Sequence, residues 1–513
     1  MADQLPLQPH YYHGQPHFTT ATFTTIDPAR NQPIAHVCRA DKPTLDAAIH
    51  AAQSALPAWS ATPPSARARI LLRAVRLLRD RNPDLARLET RDTGKPFSET
   101  STVDVVTGAD VLEFYAHHVA AGGLDGHTVS LRPDAAIYTT HSPLGVCAAI
   151  GAWNYPLQIA LWKSAPCLAA GNCLVYKPSE FTPLHALPLA HIFAEAGLPP
   201  GVFNVVHGAG DVGAMLTAHP AIAKVSFTGQ VATGRAVAAA AAKDMKRVVM
   251  ELGGKSPCLV LPDADLDVAV DAAMMANFFS TGQVCTNGTR VFVPDSLLTA
   301  FHARLLDKMS HIRVGDPADP ATNFGPLVSQ IHRDKVLGYI HHGIHRDRAT
   351  VLAGGLGIPT DLPPSAHPDG FWVRPTVFTH CTDDMLIARD EIFGPVMCIL
   401  PYSDTPTSKC TAHADSRPWL APLIQRANAT PLGLAAGVFT RDLSLAHTIV
   451  ARLDAGITWI NTWGESPAEM PVGGWKMSGM GVENGREGLE SWVRSKSTLV
   501  EMSGKMGTVF AKL

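Results

Sequence analysis

From about Gly145 onward, short apolar runs alternate with longer segments of helical spacing, and this alternation restricts the fold more than any other feature of the chain. Residues 146–151, 173–176, 202–206 and 225–227 read as strands, and 157–168, 184–195 and 212–218 as helices. Strands joined through helices need right-handed crossovers, so they assemble into a parallel, doubly wound sheet. The fold class is therefore α/β with a nucleotide-binding architecture, and such sheets bind ligands beyond the C-terminal ends of their strands. A second alternation follows Gly254: strand-like 258–261, a helix over 266–278, strand-like 289–293 and a helix ending at Met309, enough for a second core. Ahead of both, Leu45, Ile49 and Leu56, then Ile70, Leu71, Val75, Leu78 and Leu85, recur at three-to-four spacing and predict helices over 42–92. Residues 403–418 are polar and proline-bounded and read as an exposed loop.

Composition narrows the function classes. Hydrophobic residues at 46% against 17% charged exclude a disordered chain, and 513 residues leave room for about two to four domains. Forty-two Lys+Arg against 45 Asp+Glu, with no basic block, give nothing to neutralise a nucleic-acid backbone, so no nucleic-acid partner is expected. No apolar run approaches the length of about 18 that a membrane span needs. Nine cysteines without a C-x-x-C pair read as reduced thiols, and the start of the chain lacks a signal-peptide pattern, with its first arginine at Arg30. A cytoplasmic location follows, except that Ala511-Lys512-Leu513 comes close to the Ser-Lys-Leu peroxisomal address.

Several segments carry chemistry. Gly208, Gly210 and Gly213 match G-x-G-x-x-G, but no acidic residue follows about 20 positions on, so they read as a strand-to-helix turn with no role at a pyrophosphate. Lys177-Pro178-Ser179-Glu180 follows a strand and offers a cation and a carboxylate; the carboxylate can accept from ribose hydroxyls and repel a 2′-phosphate, unless both charges are merely solvated. Residues 227–234 offer small residues opening a helix, suited to a phosphate or to a simple cap. Cys285 lies in a small, polar, glycine-bracketed segment where a thiol can be accessible and ionised, whereas most other cysteines lie in or beside apolar segments. Glu251, among apolar and glycine neighbours, reads either as a general base raised by desolvation or as half of a structural ion pair.

Together these segments resemble the aldehyde dehydrogenase superfamily over essentially the whole chain. The resemblance rests on Trp153-Asn154-Tyr155-Pro156, Lys177-Pro178-Ser179-Glu180, Phe227-Thr228-Gly229, Glu251-Leu252-Gly253-Gly254-Lys255-Ser256-Pro257, Gly282-Gln283-Val284-Cys285 and Glu391-Ile392-Phe393-Gly394-Pro395, in the expected order. More narrowly, Gln283-Val284-Cys285-Thr286-Asn287-Gly288-Thr289-Arg290 and the stretch 459–474 resemble betaine aldehyde dehydrogenases.

The resemblance implies Cys285 as nucleophile, Asn154 as oxyanion donor, Glu251 as base for the hydrolytic water, and Lys163 and Glu483 as outward proton carriers. It implies NAD, with NADP as the alternative, held by Gly151, Ala152, Trp153, Lys177, Ser179, Glu180, Gly229, Gln230, Val231, Ala232, Thr233, Gly253, Glu391 and Phe393. Tyr155, Trp162, Phe279 and Trp459 are expected to face one tunnel, where ring faces attract a trimethylammonium head. The implied small-molecule substrate is betaine aldehyde, its rival 4-trimethylaminobutyraldehyde or another amino-aldehyde, and a structural reading of the rings stays open. Ile26, Asp92 and Phe181 fall where relatives hold potassium, while Arg247 stands where a second potassium site has a glutamate countercharge. The implied layout is a cofactor domain over 1–121 and 142–254, a catalytic α/β domain over 255–457, and a β oligomerisation arm from 122–141 and 485–513, giving a homodimer or homotetramer. A non-catalytic scaffold on this fold is the competing class, which the joint presence of Asn154, Glu251 and Cys285 disfavours.

Overall fold

Asp41 opens the helical region by accepting from the Thr44 amide at 2.9 Å, with Pro43 in the first turn where its missing N–H costs nothing. Helices Lys42–Ala61, Pro64–Asp80 and Asn82–Thr93 follow, the last ended by Gly94 at φ 80. Leu45, Ile49, Leu71, Val75 and Leu78 bury the predicted stripe, and Val105–Ala120 packs on the second of these helices. The computed structural model describes residues 5–360, 362–364, 366–405, 417–506 and 508–510. Most of the predicted 403–418 loop and the terminal Ala511-Lys512-Leu513 lie outside the described residues. Among the described residues no helix is long and apolar enough to cross a membrane.

The first alternation forms an eight-stranded sheet. Its parallel centre runs, in spatial order, Arg247–Glu251, Lys224–Thr228, Val146–Ile150, Cys173–Lys177 and Phe203–Val205. The chain starts at Val146–Ile150, adds two strands on one side, then crosses back to add two on the other. A crevice therefore opens between the C-terminal ends of Val146–Ile150 and Lys224–Thr228, the switch point at which doubly wound sheets bind ligands. The edge strands His10–Tyr12, Gln15–His17 and Gly479–Met480 are antiparallel to their neighbours and too short to show a period in sequence.

The second alternation forms a seven-stranded sheet in the order Thr350–Ala353, Thr376–Thr379, Val396–Tyr402, Arg290–Pro294, Pro257–Val260, Ala435–Phe439 and Ile457–Ile460, parallel apart from its first strand. Separate apolar clusters fill the two sheets' surroundings. A third, three-stranded sheet pairs Thr128–Arg132 and Ala135–Pro143 with Val493–Glu501, the last two in antiparallel register over nine residues. Glu251 ends a strand of the first sheet, and Cys285 and Glu391 precede strands of the second. The C-terminal edge of one sheet thus faces the N-terminal edge of the other across the site.

Candidate active site

The helix Leu266–Phe278 runs into a tight turn, Phe279–Gly282, where Ser280, Thr281 and Gly282 all have left-handed φ of 50, 55 and 73°. Gly282 admits no side chain, since a Cβ would fall on the Gly394 carbonyl and the Pro395 nitrogen. The side chains of Asn287, donating to the Gly282 carbonyl at 3.1 Å, and Gln283, donating to that of Ser280 at 3.2 Å, brace the turn. Asn154 donates one of its two amide hydrogens to the Gln283 carbonyl at 2.9 Å, which leaves the other to face the cavity it lines with Cys285. Burial pushes the Cys285 thiol up to about 12, and the nearby carboxylates Glu251 and Glu391 add to the effect.

Glu251 is buried with Oε1 unpartnered, and burial and then the charge of Glu483 raise its carboxyl well above the usual range, Lys163 opposing. Lys163 donates to Glu483 at 2.6 Å and to Ser226 Oγ at 2.9 Å, and Ser226 donates to the same Glu483 oxygen at 2.8 Å. Three separate elements thus close a buried triangle beside Glu251. Ser226 was not singled out from sequence; its only signal is a hydroxyl between Val225 and Phe227 in a buried strand, in register with Ala149 and Val249.

These groups share one cavity of about 960 Å³ that runs from the switch-point crevice to the Cys285 turn. Gly151, Ala152 and Trp153 line it after the first strand, and Lys177, Ser179 and Glu180 after the second. The Lys177 ammonium lies 2.8 Å from the Pro178 carbonyl and 3.8 Å from Glu180. Gly229, Gln230 and Thr233 line the opposite wall, whereas Val231 and Ala232 do not. In the helix Val231–Ala242 the cavity side recurs at Thr233, Ala236, Val237 and Ala240, and that period turns Val231 and Ala232 away. Gly210 and Gly213 form the expected strand-to-helix turn and also line this cavity, so the turn is part of its wall. Gly253, Glu391 and Phe393 lie at the centre: Glu391 accepts from the Gly254 amide at 3.1 Å, a Cβ at Gly253 would collide with its carboxylate, and burial pushes it up to about 7.

Tyr155, Trp162 and Phe279 line the cavity near Cys285. Trp459 does not. Strand alternation points it to the same buried side as Ile457, and its indole donates to the Glu465 carbonyl at 2.9 Å. Trp463 lines the cavity in its place, its ring centroid 5.0 Å from that of Trp459. Thr25 Oγ1 lies 3.1 Å from Asp92 and 3.4 Å from the Phe181 carbonyl, so the expected potassium-site residues Asp92 and Phe181 do converge, next to Ile26. Arg247 donates to the Val493 carbonyl at 2.5 Å.

The sequence profile of the aldehyde dehydrogenase family matches residues 17–498. The chain belongs to the aldehyde dehydrogenase family. Among solved aldehyde dehydrogenases, a putative one from Burkholderia cenocepacia is 35% identical, with 98% of this chain and 99% of that chain covered and a TM-score of 0.92. Betaine aldehyde dehydrogenase from Staphylococcus aureus, solved as a point mutant with NAD+, is 34% identical, with 98% and 99% covered and a TM-score of 0.90. Indole-3-acetaldehyde dehydrogenase from P. syringae, solved with NAD+ and IAA, is 35% identical, with 97% of each chain covered and a TM-score of 0.90. The catalysed chemistry is therefore that of an aldehyde dehydrogenase, and relatives of equal similarity act on different aldehydes.

Proposed function

We propose that this aldehyde dehydrogenase oxidises betaine aldehyde to glycine betaine with NAD+, through a covalent adduct on Cys285. The observation that carries the reading is the convergence on one cavity of Cys285, Asn154 and Glu251 with the rings of Tyr155, Trp162, Phe279 and Trp463. Ring faces attract a trimethylammonium head, and Glu465 on the same lining adds a favourable charge.

The cradle fits the cofactor: a glycine-lined crevice at the switch point, a 12-residue helix opening at Gln230, Lys177 and Glu180 for a ribose, and Glu391 against Gly253 for a second ribose. Bound there, NAD+ supplies the hydride acceptor that converts the adduct into a thioester. Cys285 attacks the carbonyl carbon, and its proton must leave because the free thiol is pushed to about 12. Asn154 and the Cys285 amide hold the developing oxyanion. Glu251, kept protonatable by burial, takes the proton of the water that cleaves the thioester, and Lys163, Ser226 and Glu483 offer the next stations. The carboxylate product leaves and the thiol is restored.

Asp92, Phe181 and Ile26 supply a carboxylate and carbonyl oxygens suited to potassium. The three-stranded sheet exposes Val129, Leu131, Leu499 and Val500, which supports its role as an oligomerisation arm in a dimer or tetramer. The substrate is tested by kcat/KM with NAD+ for betaine aldehyde, its neutral isostere 3,3-dimethylbutyraldehyde and 4-trimethylaminobutyraldehyde. Betaine aldehyde is expected to lead; a lead for the isostere removes the cation argument, and one for the longer homologue moves the assignment to that substrate.

A further inference from the structure

Two residues with side chains, Ser280 and Thr281, stand at φ 50 and 55° immediately before the glycine that leads to Cys285. Left-handed backbone is a conformation that L-residues avoid, so two in succession persist only where their surroundings impose it. The strongest hold comes from a residue 181 positions away. Glu99 ends the short helix Phe97–Glu99 and is buried; one carboxyl oxygen lies 3.2 Å from the Ser280 amide and the other 2.9 Å from the Ser280 hydroxyl. The same hydroxyl lies 2.9 Å from the Tyr155 phenol, which lines the substrate end of the cavity. On the Tyr155 ring, 3.8 Å from its centroid, sits the buried Lys95 ammonium, itself ion-paired with buried Asp104. Thr281 is tied separately, its hydroxyl donating to the Gly325 carbonyl at 3.0 Å.

We propose that Glu99 is a positioning residue of this enzyme: by holding Ser280 in its left-handed conformation it sets the position of the Cys285 sulfur against the substrate wall that Tyr155 provides. The inference rests on Cys285 being the nucleophile. Burial pushes the Glu99 carboxyl up to about 7, yet both contacts survive in either form. The carboxylate accepts from the amide and the hydroxyl; the acid accepts from the amide and donates to the hydroxyl, which then donates to Tyr155. A glutamine reproduces the second arrangement, and an alanine reproduces neither.

The test is rapid mixing of the full-length enzyme with NAD+ and betaine aldehyde, reading the amplitude of the hydride burst as competent sites and its rate constant as reactivity per site. Glu99→Ala is expected to lower the rate constant per site by about tenfold to a hundredfold, as misplacement of a reacting atom does, while leaving the NAD+ dissociation constant within about threefold. Glu99→Gln should stay close to wild type. Ser280→Gly in the Glu99→Ala background should recover part of the loss, because glycine takes this φ without a clamp. If Glu99→Ala does not yield folded protein, Glu99→Asp, too short to meet both groups, is read in the same way. A wild-type burst rate constant in the shortened variant, or a further loss in the double variant, overturns the proposal. Wild-type enzyme alkylated at Cys285 with iodoacetamide runs in parallel. If its burst disappears while the Glu99 variants are unchanged, only the positioning role falls; if its burst survives, the nucleophile assignment falls and the positioning role with it.

Discussion

At the scale of single residues, the Cys285 thiol, the proposed nucleophile, is pushed up to about 12 by burial and then by the carboxylates of Glu251 and Glu391. Removing one of those charges stabilises the thiolate. Glu391, itself pushed up to about 7, is charged only above that pH, so Glu391→Gln should speed iodoacetamide alkylation of Cys285 at pH 8–9 and leave it unchanged at pH 6. An acceleration of about two- to tenfold is expected, since one pKa unit is a tenfold change in thiolate. Equal rates at pH 9 would mean that Glu391 does not set the thiol's state. Glu251→Gln should separate the two halves of the reaction: the hydride burst persists while steady turnover falls by about a hundredfold or more, the range for lost general-base catalysis. Loss of burst and turnover together would place Glu251 in the attack itself.

At the scale of elements, the wall facing the substrate is set by which way each segment turns its side chains. Trp463→Ala should raise KM for betaine aldehyde more than for 3,3-dimethylbutyraldehyde, by about 0.5–2 kcal/mol or roughly two- to thirtyfold. Trp459→Ala, whose ring packs in the core, should instead lower Tm and affect both aldehydes alike. A selective effect of Trp459 with none of Trp463 would restore the sequence expectation. Gly282→Ala puts a methyl group into the Gly394 backbone at a left-handed φ, and should destabilise the turn by about 1–3 kcal/mol or more, read as a loss of burst amplitude. The strand and helix pattern of both sheets was legible because period is a local property, whereas the grouping of Cys285, Glu251 and Asn154, which come from distant segments, was implied only by the family resemblance. Trp459 was misplaced because a motif supplies aromatics without their facing; strand alternation from Ile457 would have turned it inward. The side chains of Val231 and Ala232 turn from the cavity for the equivalent reason in a helix, while their backbone amides stay in its opening turn. Ser226 and Glu99 were illegible because their partners come from distant segments, Glu483 and Ser280.

At the scale of the whole molecule, acid stability reports on histidines that sequence alone does not distinguish from exposed ones. Burial lowers His10 to about 4 and His185 to about 3, from 6.5 in the unfolded chain. The unfolded chain therefore binds protons that the folded one refuses, and this contribution to stability is lost as pH falls from about 6.5 towards 4 and below. At pH 5 each histidine costs about 2 kcal/mol relative to pH 7. In a chain of this length that corresponds to roughly 2 °C in Tm, so the fall in Tm between pH 7 and pH 5 should be about that much smaller in His10→Asn. An unchanged fall would show that His10 titrates normally in the folded state. The measurement that tests the central claim most directly is mass spectrometry of the Glu251→Gln enzyme quenched after mixing with NAD+ and betaine aldehyde. The account predicts one trimethylammonium acyl group per chain, on the peptide carrying Cys285. An acyl group on another cysteine, or NADH formed with Cys285 unmodified throughout the burst, would contradict it.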